Sequence, residues 1–313
     1  MMSFDRETLW LLSGVLGVLI FSSLIAFVLT KKNKSEAKLA TLKNLNDRIK
    51  AWWVMCGIFA LTVAGGEYGS VALFAVLSFV ALREFKMLIE PIAIDRWSWV
   101  IALVVILPLH YAMVAAHWYG MFSIFIPVYV FLLIPTLATF TGETGNFLAR
   151  TAKLQWALLA GVYCLSHVPG LLMLEIPAYS GNEKLVLYLV IVTQISDVLQ
   201  YTFGKLFGRH KIAPNVSPNK TWAGFLGGVL SASAIGAGLW WATPFTPLQS
   251  FGMSLVITLM GFAGGLTMSA VKRDAGVKDY GQIIKGHGGI LDRVDSLCFA
   301  APIFFHIVRF YFT

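Results

Sequence analysis

Long apolar runs separated by short polar segments dominate the hydropathy pattern of this chain. A search for stretches of about 20 apolar residues, the length that crosses a bilayer as a helix, predicts about ten transmembrane helices. These predicted spans lie near residues 8–30, 51–67, 69–86, 97–115, 118–140, 154–174, 184–206, 221–242, 247–271 and 294–312. The pattern therefore predicts an all-α, polytopic membrane protein.

The amino-acid composition supports the same class. Hydrophobic residues make up 58% and charged residues 13% of the 313 positions, and the mean hydropathy is +0.74. Soluble domains carry about 25% charged residues, so this composition excludes a soluble globular protein. The three cysteines lie inside apolar runs without metal-ligand spacing, which predicts neither a disulfide framework nor a zinc site.

The formal net charge of +8 bears on membrane topology. With the N-terminus outside, alternating loops leave Arg6, Lys184 and Arg309 on one face and the other 21 of the 24 Lys and Arg residues on the opposite face. By the positive-inside rule, the second face is cytoplasmic. We therefore expect a multi-pass location, such as the bacterial inner membrane, with contacts to anionic membrane lipid and no nucleic-acid partner.

Two regions of the chain differ in polarity. Residues 1–180 are predicted to form N-terminal transmembrane helices with a basic cytoplasmic loop at 31–50, which fits either a helix on anionic lipid or a charge cluster that fixes orientation. The loop 83–96 is interpreted as a solvated connection, so Glu84→Gln is expected to change little. From 181 to 313 polar residues enter the spans, which predicts a C-terminal catalytic region with its active site on the cytoplasmic side.

Asp197 is the one carboxylate that lies well inside a predicted span. Placing a charge at membrane depth costs at least about 2.5 kcal/mol, so another group must compensate it. Gln194, Asp197 and Gln200 recur at helical spacing and form a polar stripe that faces protein or water. Asp197 is a candidate metal ligand. The structural alternative is an ion pair with a neighbouring base that locks the helix bundle.

A basic segment follows this span on the predicted cytoplasmic side. Ser217 or Asn219 is placed to cap the next helix, and the N–H groups of that helix together with Lys220 would bind a phosphate. The candidate substrate-binding residues here are Ser217, Asn219, Lys220 and Thr221. A plain turn with a helix cap would produce the same pattern.

Residues 269–296 combine acidic, basic and glycine residues immediately before the last span. Asp292 and Asp295 lie three residues apart on one helical face, and two hard oxygen ligands so placed suit Mg²⁺. Helix-dipole stabilisation with an ion pair to Arg293 is the alternative for both. Taken alone, His287 is more typical of a hydrogen-bonded loop histidine than of a catalyst.

The glycines in this stretch allow a ligand to approach the backbone closely, and their N–H groups can bind an anion. The candidate catalytic and metal-binding residues are Asp279, Asp292 and Asp295, with Lys278 as a further catalytic candidate. The candidate phosphate-binding residues are Lys272, Arg273, His287, Gly288, Gly289 and Arg293.

The order of these residues resembles the signature of CDP-diacylglycerol synthases, also called phosphatidate cytidylyltransferases. The matching elements are Ser269, Lys272-Arg273, Lys278-Asp279, His287-Gly288-Gly289, Asp292-Arg293 and Asp295. An upstream run from Asp197 to Gly228 is similar to a second block of the family, so the resemblance covers residues 190–306. It implies a membrane enzyme, a homodimer, that uses Mg²⁺ to join CTP to phosphatidate and releases pyrophosphate.

Four positions depart from the family pattern, one of them Gln200, where the family usually has an alanine before Tyr201. Gly265 and Met268 stand where bacterial members usually have an Asp and a Glu, and Ala223 stands where the family has a Glu. These departures leave the metal ligands and the lipid substrate open. A related CTP-dependent enzyme acting on another lipid phosphate or a polyprenol fits the same residues. A transporter or a non-catalytic membrane protein, with the Asp197 face as an ion path, is the remaining alternative.

Overall fold

The computed structural model describes residues 5–32, 36–88, 96–281 and 288–313. Its long helices are α1 Arg6–Lys32, α2 Glu36–Ala64, α3 Gly66–Leu88, α4 Arg96–Ala115, α5 Tyr119–Thr139, α6 Phe147–Met173, α7 Glu183–Phe207, α8 Trp222–Gly238, α9 Pro247–Asp274 and α10 Leu291–Phe312. An antiparallel ribbon of β1, Lys211–Ala213, and β2, Ser217–Thr221, joins α7 to α8. The predicted all-α fold is confirmed, with this short ribbon added.

Seven helices in the described part of the chain are long and apolar enough to cross a membrane. They are α1, α4, α5, α6, α7, α9 and α10, and they confirm the predicted multi-pass membrane class. The other three predicted spans fall on α2, α3 and α8, so the count of ten stays a prediction. Because α2 begins at Glu36, most of the basic segment 31–50 is helical and continues directly into the second predicted span.

One hydrophobic core includes side chains from Val71 in α3 to Val308 in α10. Helix α10 packs against α6, α7 and α9, and α3 contacts α6. The side chains of Phe304 and Phe305 in α10 are fully buried in this core. The helices before and after residue 180 therefore share one core. The division into an N-terminal region and a catalytic region stays a prediction, and it concerns chemistry rather than packing.

Helices α7 and α8 approach closely because glycines of α8 face α7. A Cβ atom on Gly228 would lie 2.6 Å from the backbone N and Cα of Gln200, and one on Gly224 would lie 2.6 Å from the Gln200 carbonyl oxygen. Larger side chains at these positions would force the two helices apart. The contact therefore holds α8 beside the part of α7 that carries Asp197.

Thr221 ends the ribbon and caps α8. Its Oγ1 accepts a hydrogen bond of 3.1 Å from the Gly224 N–H. The prediction that Ser217 or Asn219 caps this helix is wrong, because both residues lie within β2. Strand pairing keeps the chain extended as far as Thr221, so the first helical residue is Trp222.

We expect Gly228→Ala to destabilise the protein by about 1–3 kcal/mol, because the new methyl group would overlap the α7 backbone. Gly238→Ala, in the same helix, is the matched control because nothing lies within 4 Å of its Cβ position. In the control, the higher helix propensity of alanine should stabilise the protein by up to about 1 kcal/mol. Thermal unfolding in detergent compares the variants, and equal melting temperatures would contradict the close helix contact.

Candidate active site

Asp197 of α7 and Asp295 of α10 flank one hydroxyl group. Ser296 Oγ lies 3.2 Å from Asp197 Oδ1 and 3.5 Å from Asp295 Oδ1. The Ser296 N–H also donates to Asp295 Oδ1, at 2.8 Å. Ser296 is only 4% exposed, whereas Asp197 and Asp295 are partly exposed, so the two carboxylates meet at the edge of the buried core and remain accessible. Packing of α7 against α10 thus gives Asp197 a hydrogen-bond donor and a second carboxylate.

These two carboxylates supply oxygen donors of the kind that Mg²⁺ accepts. Mg²⁺ is usually held by one or two carboxylates, while water and substrate phosphates complete its six ligands. Within the described ranges, no group of three or more His, Cys, Asp or Glu side chains is arranged to hold a metal ion. Two carboxylates alone would leave most of the six positions around such an ion to other ligands.

Lys220 extends from the end of β2 toward these carboxylates. Its Nζ donates to the carbonyl oxygen of Phe262 at 3.3 Å and lies 4.5 Å from the centre of the Phe262 ring. Burial lowers the pKa of the Lys220 ammonium, and the negative charges of Asp295 and Asp197 oppose that change. The ammonium has further N–H donors, so it can bind an anion beside the two carboxylates.

Asp292 has different surroundings from Asp295 although both lie in the first turns of α10. Its Oδ1 forms an ion pair of 2.7 Å with Lys272 of α9. Its Oδ2 accepts hydrogen bonds of 2.9 Å from the N–H groups of Tyr280 and Gly289. A separation of three residues turns the helix by about 300°, which leaves the two side chains about 60° apart and facing different helices. Asp292 therefore organises the loop before α10.

The two arginines of the predicted phosphate-binding set differ in what they contact. Arg273 is exposed and donates to the carbonyl oxygens of Val216 and Val277, which ties the end of α9 to the ribbon. The Nε of Arg293 is buried and has no hydrogen-bond partner among the described residues. Arg293 is consequently the arginine better placed to gain from binding an anion.

The loop between α9 and α10 carries the remaining predicted residues. Lys278 and Asp279 are exposed. Gly288 has a φ of +81°, which favours glycine, and a Cβ there would lie 2.7 Å from Asp292 Oδ2 and 3.4 Å from the Asp279 Cβ. Asp279 is therefore close to Asp292 but open to solvent. The predicted phosphate-binding residue His287 lies outside the described residues.

Glu84, near the end of α3, is the residue that sequence reasoning missed. The interpretation of 83–96 as a solvated connection is wrong at this position, because Glu84 is 0% exposed and accepts hydrogen bonds at the start of α10. The sequence did contain a signal of this burial, because Glu84 shares the face of the predicted helix that carries apolar residues. Ala81, Leu82 and Phe85 are buried beside it, whereas Arg83 faces solvent.

The structure shows what surrounds two of the positions that depart from the family pattern. A Cβ on Gly265 would lie 2.9 Å from Lys220 Nζ and 3.9 Å from Asp295 Oδ2, so the lysine ammonium occupies the space beside this glycine. Met268 is fully buried, and its carbonyl oxygen accepts a hydrogen bond of 2.9 Å from the Tyr280 hydroxyl. Neither position leaves an obvious gap where an acidic side chain is missing.

Comparison with known proteins identifies the family of this chain. The profile of the cytidylyltransferase family matches residues 46–311, which include every described residue of the site. The chain belongs to the cytidylyltransferase family. The resemblance detected in the signature residues is thereby confirmed, and the chain is a membrane enzyme of the nucleotidyltransferase class.

Individual relatives differ in how much of this cytidylyltransferase-family chain they match. The uncharacterized protein YnbB of Escherichia coli strain K12 is 38% identical over 304 residues, covering 96% of this chain and 97% of YnbB. The phosphatidate cytidylyltransferase of Staphylococcus aureus strain COL is 34% identical over 157 residues, 49% of this chain and 60% of the relative. That of Haemophilus influenzae is 34% identical over 180 residues, 54% and 61% respectively.

We expect Asp292→Asn to destabilise the protein by about 2–4 kcal/mol, because Lys272 would be left largely buried without its counter-charge. Asp274→Asn is the matched control, since Asp274 is exposed at the end of α9. Thermal unfolding in detergent measures both effects. A melting temperature for Asp292→Asn equal to that of the control would show that this ion pair does not organise the loop.

Proposed function

We propose that this chain transfers CMP from CTP to phosphatidate and forms CDP-diacylglycerol and pyrophosphate. The observation that carries the proposal is the meeting of Asp197, Asp295 and Lys220 around the Ser296 hydroxyl in a member of the cytidylyltransferase family. Two relatives that match about half of the chain are named phosphatidate cytidylyltransferases. Their names support phosphatidate as the lipid substrate.

The reaction asks the protein mainly for positioning and for stabilisation of charge. A phosphate oxygen of phosphatidate attacks the α-phosphorus of CTP and forms a new P–O bond. The bond from the α-phosphorus to the oxygen shared with the β-phosphorus breaks, and pyrophosphate leaves. Cationic side chains beside the triphosphate stabilise the negative charge that develops on the leaving group.

In this proposal Asp197 and Asp295 hold Mg²⁺, with Asp279 as a further ligand from the loop. Bound Mg²⁺ would neutralise charge on the triphosphate. Lys220 and Arg293 bind phosphate oxygens, because the Lys220 ammonium faces the carboxylates and the Arg293 Nε lacks a partner among the described residues. Asp292 supports the loop, since its oxygens already accept three donors.

We place the enzyme in a bacterial inner membrane with the active site on the cytoplasmic side. The seven apolar helices of the described ranges support a location among lipids, where phosphatidate is found. The distribution of Lys and Arg among the loops supports the orientation. We also propose that the enzyme is a homodimer, and this part of the proposal rests on the family resemblance alone.

A related CTP-dependent enzyme that acts on another lipid phosphate or a polyprenol phosphate is the second candidate. Ala223 favours it, because the family resemblance places a glutamate at this position and its loss leaves the lipid preference open.

The purified chain is expected to release pyrophosphate from CTP when phosphatidate and Mg²⁺ are both supplied. Other lipid phosphates and polyprenol phosphates, tested in parallel, separate the two candidates by the lipid that gives the highest kcat/KM. Omission of Mg²⁺ should abolish turnover. Absence of pyrophosphate release with every lipid would overturn both enzymatic proposals.

Asp295→Asn should lower turnover by about 100-fold or more, because it removes one of two charges proposed to bind Mg²⁺. Asp274→Asn is again the matched control on an exposed aspartate. Elution of both variants as the same species as the parent protein in detergent checks that folding is intact. Near-parental activity of a folded Asp295→Asn variant would remove Asp295 from the metal site.

A further inference from the structure

Glu84 connects the N-terminal half of the chain to the start of α10. Its Oε1 accepts a hydrogen bond from the Ile290 N–H and its Oε2 accepts one from the Leu291 N–H, both at 2.8 Å. The side chain is completely buried. A single carboxylate of α3 therefore uses both oxygens on two consecutive backbone N–H groups, more than 200 positions further along the chain.

The start of α10 needs an acceptor from elsewhere. The first N–H groups of any helix have no acceptor within the helix, and a capping side chain usually supplies one. Here the residue at the N-cap position is Ile290, whose side chain makes no such bond. Glu84 satisfies these N–H groups from a distance, and its negative charge also suits the positive end of the helix dipole.

The same carboxylate lies between the two ends of the loop that precedes α10. A Cβ on Gly281 would lie 2.8 Å from Glu84 Oε1, and a Cβ on Gly289 would lie 2.5 Å from Glu84 Oε2. Close by, Tyr280 packs its ring at 5.6 Å from that of Phe85, the neighbour of Glu84 in α3. Glu84 thus binds the beginning of α10 and lies beside Gly281, the last described residue after α9.

We propose that Glu84 is a positioning residue for the reaction, which sets where α10 begins and hence where Asp295 and Ser296 lie relative to Asp197. This inference rests on the function proposed above. One residue of helix corresponds to about 1.5 Å of rise and about 100° of rotation. If α10 shifted by one residue against its neighbours, Asp295 would turn away from Asp197, which lies on a different helix.

Glutamate suits this position better than similar residues. A glutamine of the same size keeps one acceptor oxygen but turns an NH₂ group toward the second backbone N–H, where two donors would face each other. An aspartate is shorter by one methylene group and cannot reach both N–H groups from the same backbone position. Glu84→Gln therefore removes one of the two hydrogen bonds and places two donors against each other, while conserving volume and burial.

The test compares full-length Glu84→Gln with the parent protein and with Glu175→Gln, a matched control at an exposed glutamate. Hydrogen exchange is measured on the peptide that contains residues 288–296. We expect the Ile290 and Leu291 amides to exchange about tenfold faster or more in Glu84→Gln, and at the parental rate in Glu175→Gln.

Activity supplies the second measurement. Turnover in Glu84→Gln should fall about tenfold to a hundredfold, the loss expected when reacting groups are displaced by about 1 Å. The Mg²⁺ concentration for half-maximal activity should rise, because Asp295 is displaced from Asp197. A general loss of stability would reduce the active fraction but would not shift the Mg²⁺ dependence of the molecules that remain folded.

Three outcomes would overturn the inference. Unchanged exchange in Glu84→Gln would show that the carboxylate does not hold α10. Faster exchange with parental turnover and Mg²⁺ dependence would reduce Glu84 to a helix cap without a role in the reaction. Absence of turnover in the parent protein would overturn the proposed function and the catalytic part of this inference together, while the exchange rates would still report whether Glu84 holds the helix.

Discussion

Carboxylates buried among apolar helices must be compensated by donors or counter-charges, and this constraint organises the C-terminal half of the structure. Asp292 is matched by Lys272 and by backbone N–H groups. Asp197 accepts from the Ser296 hydroxyl, and Glu84 accepts from the first N–H groups of α10. Each of these contacts joins different segments of the chain, so satisfying the buried charges also fixes the helices relative to one another.

Helix α10 is where these requirements meet. Its beginning is held by α3, its Asp292 pairs with α9, and its Asp295 and Ser296 face α7. A helix presents side chains at steps of about 100°, so residues of a single turn can contact three neighbours. The residues of the family signature in α10 therefore lie close together in the sequence, although they contact different parts of the site.

The departures from the family pattern also have a physical context. Lys220 Nζ lies beside Gly265, where an acidic side chain would meet it directly. A glycine at that position leaves the ammonium available to the Asp197 and Asp295 carboxylates or to a substrate anion. Charge balance in the site is thus shared by fewer acidic groups than the family pattern predicts, which bears on how many cations the site can hold.

The sequence by itself determined the membrane class, the helical fold and the family. The length of the apolar segments and the spacing of the signature residues are local properties. They can be recognised in the sequence without knowing how the helices pack. The same local reasoning selected Asp197, because a charge at membrane depth is costly. It selected Asp295 and Lys220 by their spacing at helix starts, and the structure brings the three residues together.

Only the tertiary structure decided which groups meet. Local reasoning placed the cap of α8 at Ser217 or Asn219 instead of Thr221, because strand pairing between β1 and β2 is not visible in the residues of the turn. It also left Glu84 in solvent, because the partners of that carboxylate lie more than 200 positions away. Contacts across such distances depend on how helices pack, and a one-dimensional pattern records each helix face but not the neighbour that covers it.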